Sequence, residues 1–359
     1  MRLLIATPHY PPESGGPGTY AKLLADTFPA QGVTVDVVRF ALVRGYPKIF
    51  RPMLYLWHVM RAAKGADVFL TLDPVSTGFP SALASILLRK PFIAKIVGDC
   101  AWERGRQKYG VTASLDEFVR MKRVPLPVSM YRSAQVWVAR RASRIIVPSN
   151  YLKAIVAAWG IAESKIEVVY NSVELGHAAE VPPAVRTLEG FTIVTVARLV
   201  RWKHIDQIIL ALRDVPEANL IVVGDGPERA HLEQLASGNP RVLFTGALPN
   251  EEAVAIMKTA DVMVLNSSYE GMSHVLIEGL MAGLAIVATR AGGNEEVLAE
   301  GSGMLIPVGD REALAAALRQ LKADPELRTR LGQAAQTRSV LFSPETMLRK
   351  TRAVLQSVL

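Results

Sequence analysis

The chain has 359 residues, of which 50% are hydrophobic and 21% are charged. This composition excludes a disordered polymer and favours two domains over one core. The net charge is +8, from 41 Lys and Arg and 33 Asp and Glu, and it is unevenly distributed. The segment from Arg89 to Arg144 alone contains 13 Lys or Arg and only 4 Asp or Glu. We therefore expect a local anionic partner rather than a generally cationic surface.

The single cysteine, Cys100, excludes a disulfide within the chain, so we expect a reducing, cytoplasmic compartment. The N-terminal MRLLIATPHY enters a strand-like run at once, without the basic and apolar regions of a signal peptide. Apolar runs such as 79–88 are too short to span a bilayer.

The first half of the chain alternates strand-like and helical segments, which predicts parallel βαβ units. Its strand-like runs are RLLIATPHY, VTVDVVRF, DVFLTL, FIAKIVGD, RIIVPS and IEVVYNS. Its helical segments include one from about Thr19, SALASILL and VSMYRSAQVWVARRA. Gly15, Gly16 and Gly18 separate the first strand from the first helix, where glycine allows a ligand to approach the backbone closely; a plain turn is the alternative.

Residues 177–190, HAAEVPPAVRTLEG, lose this pattern and are predicted to form a linker. The alternation then restarts with FTIVTVAR, NLIVVGDG, VLFTGAL, DVMVLNS and AIVATR as strands, with helical segments between them. We predict domains at 1–178 and 179–342, with a last helix at 343–359 that would pack on either domain. Two doubly wound domains facing each other would form a ligand cleft at the carboxyl ends of their strands.

Two carboxylates, Glu270 and Glu278, lie eight positions apart in YEGMSHVLIEGLMAG. The preceding strand ends near Ser267 and a helix is predicted from about Ser273, so Glu270 lies in the loop and Glu278 two turns into the helix. Helix N-termini bind phosphates, and flanking carboxylates accept hydrogen bonds from ligand hydroxyls. The alternative makes Glu270 a surface cap and Glu278 the partner of a core arginine.

Two cations follow a predicted strand in VARLVRWKH. Arg198 lies at the carboxyl end of FTIVTVA and Lys203 at the start of the next helix. They would hold a diphosphate and neutralise its charge as a leaving group; a solvated pair is the alternative. The nearby VVGDGPER turn, with Gly224 and Gly226, is predicted to be structural.

These stretches, in this order, resemble the retaining glycosyltransferases of family 4, which have the GT-B fold: two doubly wound Rossmann-like domains facing across a cleft. The resemblance covers nearly the whole chain. The residues that match the family's motifs are Glu270 and Glu278 (Glu-x7-Glu), Arg198 and Lys203, and the glycine pair Gly15 and Gly16.

The resemblance implies that the second domain holds a nucleotide-sugar donor and that an acceptor enters from the first. Glu270 would face the donor sugar, Glu278 would bind ribose hydroxyls, and Arg198 and Lys203 would stabilise the leaving diphosphate. No metal or other cofactor is expected, in agreement with the missing Asp-x-Asp pair.

The remaining donor contacts are also implied by the resemblance. Amides near His274 and Val275, with Gly15 and Gly16, would touch phosphates, and Leu248 would lie against the base. His274 is expected to line the site rather than to act as a catalytic base. The last helix would cross back onto the first domain.

The chain departs from the family at one position near the reacting sugar. Many members carry a histidine after the fourth strand of the first domain, where this chain has Val97 and, two residues later, Asp99. Asp99 would replace that histidine as an acceptor-orienting group or base. The equal alternative is that Asp99 caps a turn or pairs with Arg104 or Arg106.

The basic segment 89–144 mixes cations with Trp102, Tyr109, Phe118 and Tyr131, a composition that suits anionic lipid headgroups. We expect a peripheral contact with the inner face of the plasma membrane; a solvated face is the alternative. Nucleic acid is not expected, because no recognition motif accompanies the charge.

The predicted function is transfer of a hexose, with retention of anomeric configuration, from a nucleoside-diphosphate sugar to a saccharide or lipid-linked saccharide hydroxyl in polysaccharide or glycolipid synthesis. A nucleotide-sugar epimerase on the same scaffold is the alternative enzyme. A non-catalytic binding module is the third possibility, and the four charged residues of the predicted site argue against it.

Overall fold

The computed structural model describes residues 1–13, 15–174, 179–186 and 188–359, which form two compact units. The first unit is Met1–Val169 together with Leu348–Leu359, and the second is Tyr170–Met347. The boundary predicted from the sequence falls at residue 178, which lies outside the described residues.

The first unit contains a parallel sheet of six strands in the order β2-β1-β3-β4-β5-β6. The strands are β1 Arg2–Thr7, β2 Thr34–Arg39, β3 Val68–Thr71, β4 Phe92–Lys95, β5 Arg144–Val147 and β6 Ile166–Val168. The helices are α1 Gly16–Thr27, α2 Ala41–Arg44, α3 Arg51–Ala62, α4 Gly78–Leu88, α5 Cys100–Lys108, α6 Leu115–Arg120, α7 Leu126–Arg141 and α8 Asn150–Ala158.

The second unit contains a parallel sheet of six strands in the order β12-β11-β10-β7-β8-β9. The strands are β7 Thr192–Val196, β8 Asn219–Val223, β9 Val242–Gly246, β10 Val262–Leu265, β11 Ala285–Thr289 and β12 Met304–Ile306. The helices are α9 Pro183–Arg186, α10 Ile205–Ala211, α11 Arg229–Leu235, α12 Asn250–Thr259, α13 His274–Met281, α14 Asn294–Val297, α15 Arg311–Ala323 and α16 Pro325–Ser339, and the last helix of the chain is α17 Pro344–Gln356.

Continuous apolar runs produce these strands because both faces of each sheet are covered. Leu3, Leu4 and Ile5 are all at most 1% exposed although successive side chains point to opposite faces. In the second unit, Ile193 and Val194 belong to two separate hydrophobic clusters. The predicted α/β class with two doubly wound parallel sheets is confirmed.

The sequence prediction was incomplete for short elements and for the end of the second unit, where the helices α15 and α16 were not named. The strand β12 was not predicted, because its three residues are too few to show a periodicity. The segment predicted to be a linker contains one helical turn, α9, and its residues 177, 178 and 187 lie outside the described residues. Among the described residues, no helix combines the length and apolarity needed to cross a bilayer.

The end of α17 packs in the first unit. The hydroxyl groups of Tyr20 on α1 and Thr351 on α17 share a hydrogen bond of 2.7 Å, and both residues are buried. Lys95, at the end of β4, is 3% exposed, and its Nζ lies 4.0 Å from the centroid of the Tyr20 ring. This Nζ has no hydrogen-bond partner among the described residues, and burial lowers its pKa to about 7.

Candidate functional site

The strand order of the second unit predicts where a ligand site lies along the carboxyl ends of its strands. The strands β7 and β10 are neighbours, yet the chain leaves them in opposite directions along the sheet, which makes their carboxyl ends the topological switch point. The loop after β7 carries Arg198 and Lys203, and the loop after β10 carries Glu270. Three of the predicted residues therefore follow the two strands where doubly wound sheets bind ligands.

Lys203 and Glu270 form an ion pair at this switch point. The Nζ of Lys203 donates to the Oε1 of Glu270, and the hydroxyl of Ser267 donates to the same oxygen at 2.7 Å. The side chains of Lys203 and Glu270 are 17% and 13% exposed, so the pair is largely removed from water. Ser267 was not predicted as a site residue; its place at the end of the same strand was the available signal.

Backbone hydrogen bonds hold the loop that carries Glu270. The amide of Ser268 donates to the carbonyl of Trp202 at 2.8 Å, and the amide of Gly293 donates to the carbonyl of Glu270 at 2.9 Å. A Cβ at Gly293 would lie 2.4 Å from the carbonyl oxygen of Gly271, so only glycine allows this approach. The ion pair is therefore fixed from two neighbouring loops.

Arg198 is exposed on a loop that is fixed by its flanking residues. The amides of Ala197 and Leu199 donate to the carbonyls of Val223 and Asp225, both at 3.0 Å. Among the described residues Arg198 takes part in no ion pair, and it is not part of the Lys203–Glu270 pair.

The turn after β8, which the sequence predicted to be structural, lies close against the loop that carries Arg198. A Cβ at Gly224 would lie 2.0 Å from the carbonyl oxygen of Ala197, and one at Gly226 would lie 2.3 Å from that of Leu199. Gly224 also has a φ of +132°, a conformation that L side chains rarely adopt. The two glycines therefore fix the direction in which the chain presents Arg198.

Glu278 lies within α13 and is 7% exposed. Burial raises the pKa of its carboxyl group to about 7, and a hydrogen bond from the side chain of Asn250 opposes that rise. Asn250 begins α12 two residues after Leu248, which packs against one hydrophobic cluster of this unit. The contact with Asn250, which the sequence reasoning missed, brings the 248–250 loop to Glu278.

His274 and Val275 are the first two residues of α13. The hydroxyl of Ser273 caps this helix by accepting a hydrogen bond from the amide of Leu276 at 3.3 Å. Val275 packs against the same hydrophobic cluster as Leu248, and His274 is half-buried. The first turn of α13 thus begins four residues after Glu270, as the sequence predicted.

Gly15 and Gly16 belong to the first unit and lie where β1 leads into α1. Gly15 has a φ of +146°, and Gly16 is the first residue of the helix. Gly15 lines a cavity of about 390 Å³, together with His9 from the loop after β1.

This first-unit cavity occupies the switch point of its own sheet, between the carboxyl ends of β1 and β3. Asp73 follows β3, and its Oδ1 accepts hydrogen bonds from the amides of Val75 at 2.6 Å and Ser76 at 3.1 Å. Glu103 and Arg104 line the cavity from α5. Burial, followed by repulsion from Asp99 and Asp73, raises the pKa of the Glu103 carboxyl group to about 7.

The geometry of Asp99 favours the alternative in which it caps a turn. Asp99 is 1% exposed, and its carboxylate caps α5 by accepting a hydrogen bond from the amide of Trp102 at 2.9 Å. Burial raises its pKa, while hydrogen bonds and the charge of Arg132 oppose that rise. Of residues 97–100, the exposed Val97, Gly98 and Cys100 line the cavity, and Asp99 does not. Glu103, four residues further on, was missed because a helix register was needed to place it.

Acidic, histidine and cysteine side chains are the groups that most often ligate metal ions in proteins. Among residues 1–13, 15–174, 179–186 and 188–359, no group of three such side chains could hold a metal ion.

Two family models match most of the chain. The model described as "Glycosyl transferase 4-like domain" matches residues 2–172, and the model described as "Glycosyl transferases group 1" matches residues 182–338. These ranges fall on the two halves that the sequence predicted to form separate domains.

A curated relative is similar over part of its length. The lipopolysaccharide core biosynthesis glycosyltransferase LpsD of Rhizobium meliloti (strain 1021) is 36% identical over 195 residues, which are 52% of this chain and 54% of the relative. The chain therefore spans about half the length of this relative.

Solved structures are similar over nearly the whole chain. The Anabaena protein Alr3699/HepE in complex with UDP has a TM-score of 0.78 at 19% identity, and its complex with UDP-glucose has a TM-score of 0.76 at 20% identity. Each match covers 99% of this chain and 100% of the other. At this identity the likeness shows the fold alone, and it confirms the predicted GT-B class.

Proposed function

Because this chain belongs to the group 1 glycosyltransferases, we propose that it transfers a hexose from a nucleoside-diphosphate sugar to an acceptor hydroxyl. The observation that carries the proposal is the Lys203–Glu270 ion pair, a partly buried cation and carboxylate at the switch point of the second sheet. A diphosphate-linked sugar presents the complementary groups, because it carries phosphate oxygens for the cation and hydroxyl groups for the carboxylate.

Binding of the donor replaces the contact between Lys203 and Glu270 with contacts from each residue to the donor. Without a ligand, Lys203 and Glu270 neutralise each other, which limits the cost of keeping two charges away from water. When the donor binds, Lys203 turns to the diphosphate together with the exposed Arg198, and Glu270 accepts hydrogen bonds from the sugar hydroxyls. The amides of His274 and Val275 lie in the first turn of α13, where a helix attracts phosphate.

The nucleoside is bound further along the same unit. Glu278 accepts hydrogen bonds from ribose hydroxyls, and Leu248 lies against the base; their proximity through Asn250 supports a shared role. The Anabaena structures contain UDP and UDP-glucose, so a uridine donor is the first to test.

The transfer retains the anomeric configuration. The Glu270 oxygen that faces Lys203 also accepts a hydrogen bond from Ser267, an arrangement that suits binding better than attack on carbon. The acceptor oxygen therefore bonds to the anomeric carbon on the face from which the diphosphate departs, and the diphosphate leaves with the electron pair of the broken bond. Arg198 and Lys203 supply the positive charge that stabilises this leaving group, so we expect the same rate in the presence and absence of a metal chelator.

The first unit supplies the acceptor site. Its cavity combines Glu103, His9 and Ser76 with apolar side chains, a lining that suits a saccharide. Glu103 is partly buried, and among the described residues no hydrogen bond to its carboxylate occurs. It orients the acceptor hydroxyl and takes its proton, the role that the sequence assigned to Asp99. The relative in lipopolysaccharide core biosynthesis makes a saccharide or lipid-linked saccharide the acceptor to test, in a cytoplasmic reaction at a membrane that contains it.

A product assay tests the proposal. Nucleotide sugars are first screened by thermal shift, where a ligand at 100 times its dissociation constant stabilises the fold by about 2.7 kcal/mol. The stabilising donor is then incubated with saccharide acceptors, and the anomeric configuration of the product is assigned by NMR. A new glycosidic bond of the donor's configuration supports the proposal. Conversion of the donor to its epimer without any acceptor would contradict it.

A further inference from the structure

Large apolar side chains are exposed in one short segment of the first unit. Six of them occur within residues 42–57, which we call the 42–57 face, with Ile49 79% and Met53 74% exposed. The other four are Leu42, Tyr46, Phe50 and Trp57, all between 44% and 56% exposed. Single exposed apolar residues are ordinary, whereas such a concentration marks an interaction surface.

The fold holds these side chains outward. Tyr55 and Val59 on α3 are fully buried, and the Tyr55 hydroxyl donates to the carbonyl of Val38 at 2.7 Å. Met53 and Trp57, four residues apart, therefore share the outer side of an anchored helix. The preceding loop is also fixed, because the Arg51 guanidinium donates to the carbonyls of Tyr46 and Arg44, both at 2.8 Å.

The chain segment that carries the 42–57 face has only positive charges. Residues 37–66 contain six Lys or Arg and no Asp or Glu. Arg44 is paired with Glu13, but Arg39, Lys48, Arg61 and Lys64 are exposed and form no ion pair among the described residues. The guanidinium of Arg61 lies 5.5 Å from the centroid of the Trp57 ring, so a cation and an aromatic side chain lie together on the surface.

Part of the basic segment 89–144 uses its cations and aromatic rings internally. Trp102 and Phe118 are buried, and Arg106 and Arg132 lie over their rings at 5.2 and 4.3 Å. Arg132 also donates to two backbone carbonyls. Its exposed large apolar side chains are also more widely spaced, six in 56 residues against six in the 16 residues of the 42–57 face. The 42–57 face is therefore the denser apolar surface for the membrane contact expected from composition.

An anionic bilayer is the partner that fits both properties of this surface. Interfacial helices bury an apolar face at the boundary of headgroups and acyl chains, while flanking Lys and Arg bind lipid phosphates. We propose that the 42–57 face docks this chain on anionic membranes, with Ile49, Phe50 and Met53 inserted and the surrounding cations on headgroup phosphates. The inference stands apart from the proposed sugar transfer, because its test measures membrane binding directly.

Vesicle flotation of the full chain tests this inference, with phosphatidylcholine vesicles with and without phosphatidylglycerol. We expect the protein to float with the anionic vesicles and the bound fraction to fall as salt is added. Ile49→Ser with Met53→Ser should weaken binding by about tenfold or more, because two inserted side chains are lost. Lys48→Glu with Arg61→Glu should weaken it by about 100-fold, because attraction becomes repulsion at two positions.

The matched control is Leu126→Ser with Met130→Ser on α7, where the side chains are 75% and 66% exposed within the other basic segment. This control should bind within about twofold of the unaltered chain, since its residues lie outside the inserted face. All of these side chains are exposed, so thermal unfolding should stay unchanged. Failure of the unaltered chain to float, binding to neutral vesicles equal to that on anionic ones, or an equal loss in the control would overturn the proposal.

Discussion

The two units differ in how they present their surfaces, although both are doubly wound sheets of six parallel strands. In the second unit, the loops that carry Arg198 and Glu270 are joined to neighbouring loops by backbone hydrogen bonds, at distances that only glycine permits. In the first unit, the corresponding edge is a cavity with ionisable groups around it. Of the large apolar side chains exposed among the described residues, fifteen lie in the first unit and three in the second.

This difference indicates a division of labour. A donor that ends in a diphosphate requires the same charges wherever it is used, so a rigid arrangement of loops suits it. An acceptor and a membrane differ from one enzyme to another, and they are served by an open cavity and an exposed face. We expect substitutions in the second unit to impair donor binding and departure of the leaving group, and those in the first to impair reaction of the acceptor or membrane location.

The largest expected effect is at the ion pair of the second unit. Glu270→Gln keeps the shape of the side chain but removes the charge that faces Lys203 and the sugar. We expect a loss of about 10²–10³-fold in kcat, because the donor sugar loses the carboxylate that positions it, and a lower melting temperature, because Lys203 is left largely buried without its partner. Steady-state kinetics against Glu295→Gln, which alters a half-exposed carboxylate of the same unit, provide the measurement. Activity near that of the control would remove Glu270 from the site.

The second prediction concerns the close contact between the Arg198 loop and the turn that contains Gly224, and Gly224→Ala tests it. The new Cβ would lie 2.0 Å from the carbonyl oxygen of Ala197, and the φ of +132° is unfavourable for alanine. We expect the free energy of unfolding to fall by about 3 kcal/mol or more, since the backbone itself must move. Gly45→Ala is the control, because nothing lies within 4 Å of its Cβ position. Equal unfolding curves for the two variants would show that the loop contact is dispensable.

The first unit is tested with Glu103→Gln. We expect kcat to fall by about 100-fold while the dissociation constant of the donor stays the same, as befits a base on the acceptor side. The pKa of Glu103 is raised to about 7, so kcat at saturating donor should rise as pH increases through 7, and this rise should vanish in the variant. Glu163→Gln, on the exposed surface of the same unit, is the control. A donor affinity that falls together with kcat would assign Glu103 to the donor instead.

A smaller effect is expected in the pH dependence of donor binding. Ionised Glu278 accepts hydrogen bonds from hydroxyl groups, and its pKa in the free protein is about 7. The affinity for UDP-glucose should therefore weaken below pH 7, by up to about tenfold per pH unit. Calorimetric titration from acid to neutral pH measures this, and Glu278→Gln should give a flat profile. An equally steep profile in that variant would place the titrating group elsewhere.

The smallest expected effect concerns the stability of the first unit. Lys95 loses its proton near pH 7 when folded, whereas the unfolded chain keeps it up to about 10.5, so the free energy of unfolding should rise with pH between these values. Lys95→Met should remove this rise and stabilise the fold by about 1 kcal/mol at neutral pH, because a buried cation without a hydrogen bond is replaced by an apolar chain. Denaturant unfolding at several pH values is the measurement. A less stable variant at every pH would show that the contact with Tyr20 outweighs the burial cost.

The sequence predicted the strands and the residues that follow them more reliably than the residues in between. Lys203 and Glu270 were expected at strand ends, and parallel sheets bring such ends together whatever the intervening chain does. Asn250 and Glu103 were missed, because their positions depend on helix register and loop path, which apolar periodicity does not fix. The 42–57 face was also missed, since composition alone does not tell which side of an apolar helix is covered.

The ion pair between Lys203 and Glu270 has a consequence for selectivity. The ammonium group of Lys203 is already bound to the carboxylate of Glu270. An incoming anion must therefore displace this carboxylate before it can bind to Lys203. Chloride and free phosphate, abundant in any cell, lack the hydroxyl groups that would compensate the displaced carboxylate. Only a molecule with both an anionic group and hydroxyl groups can bind Lys203 and Glu270 once they separate. We therefore expect chloride and free phosphate to bind the unliganded protein weakly at this site.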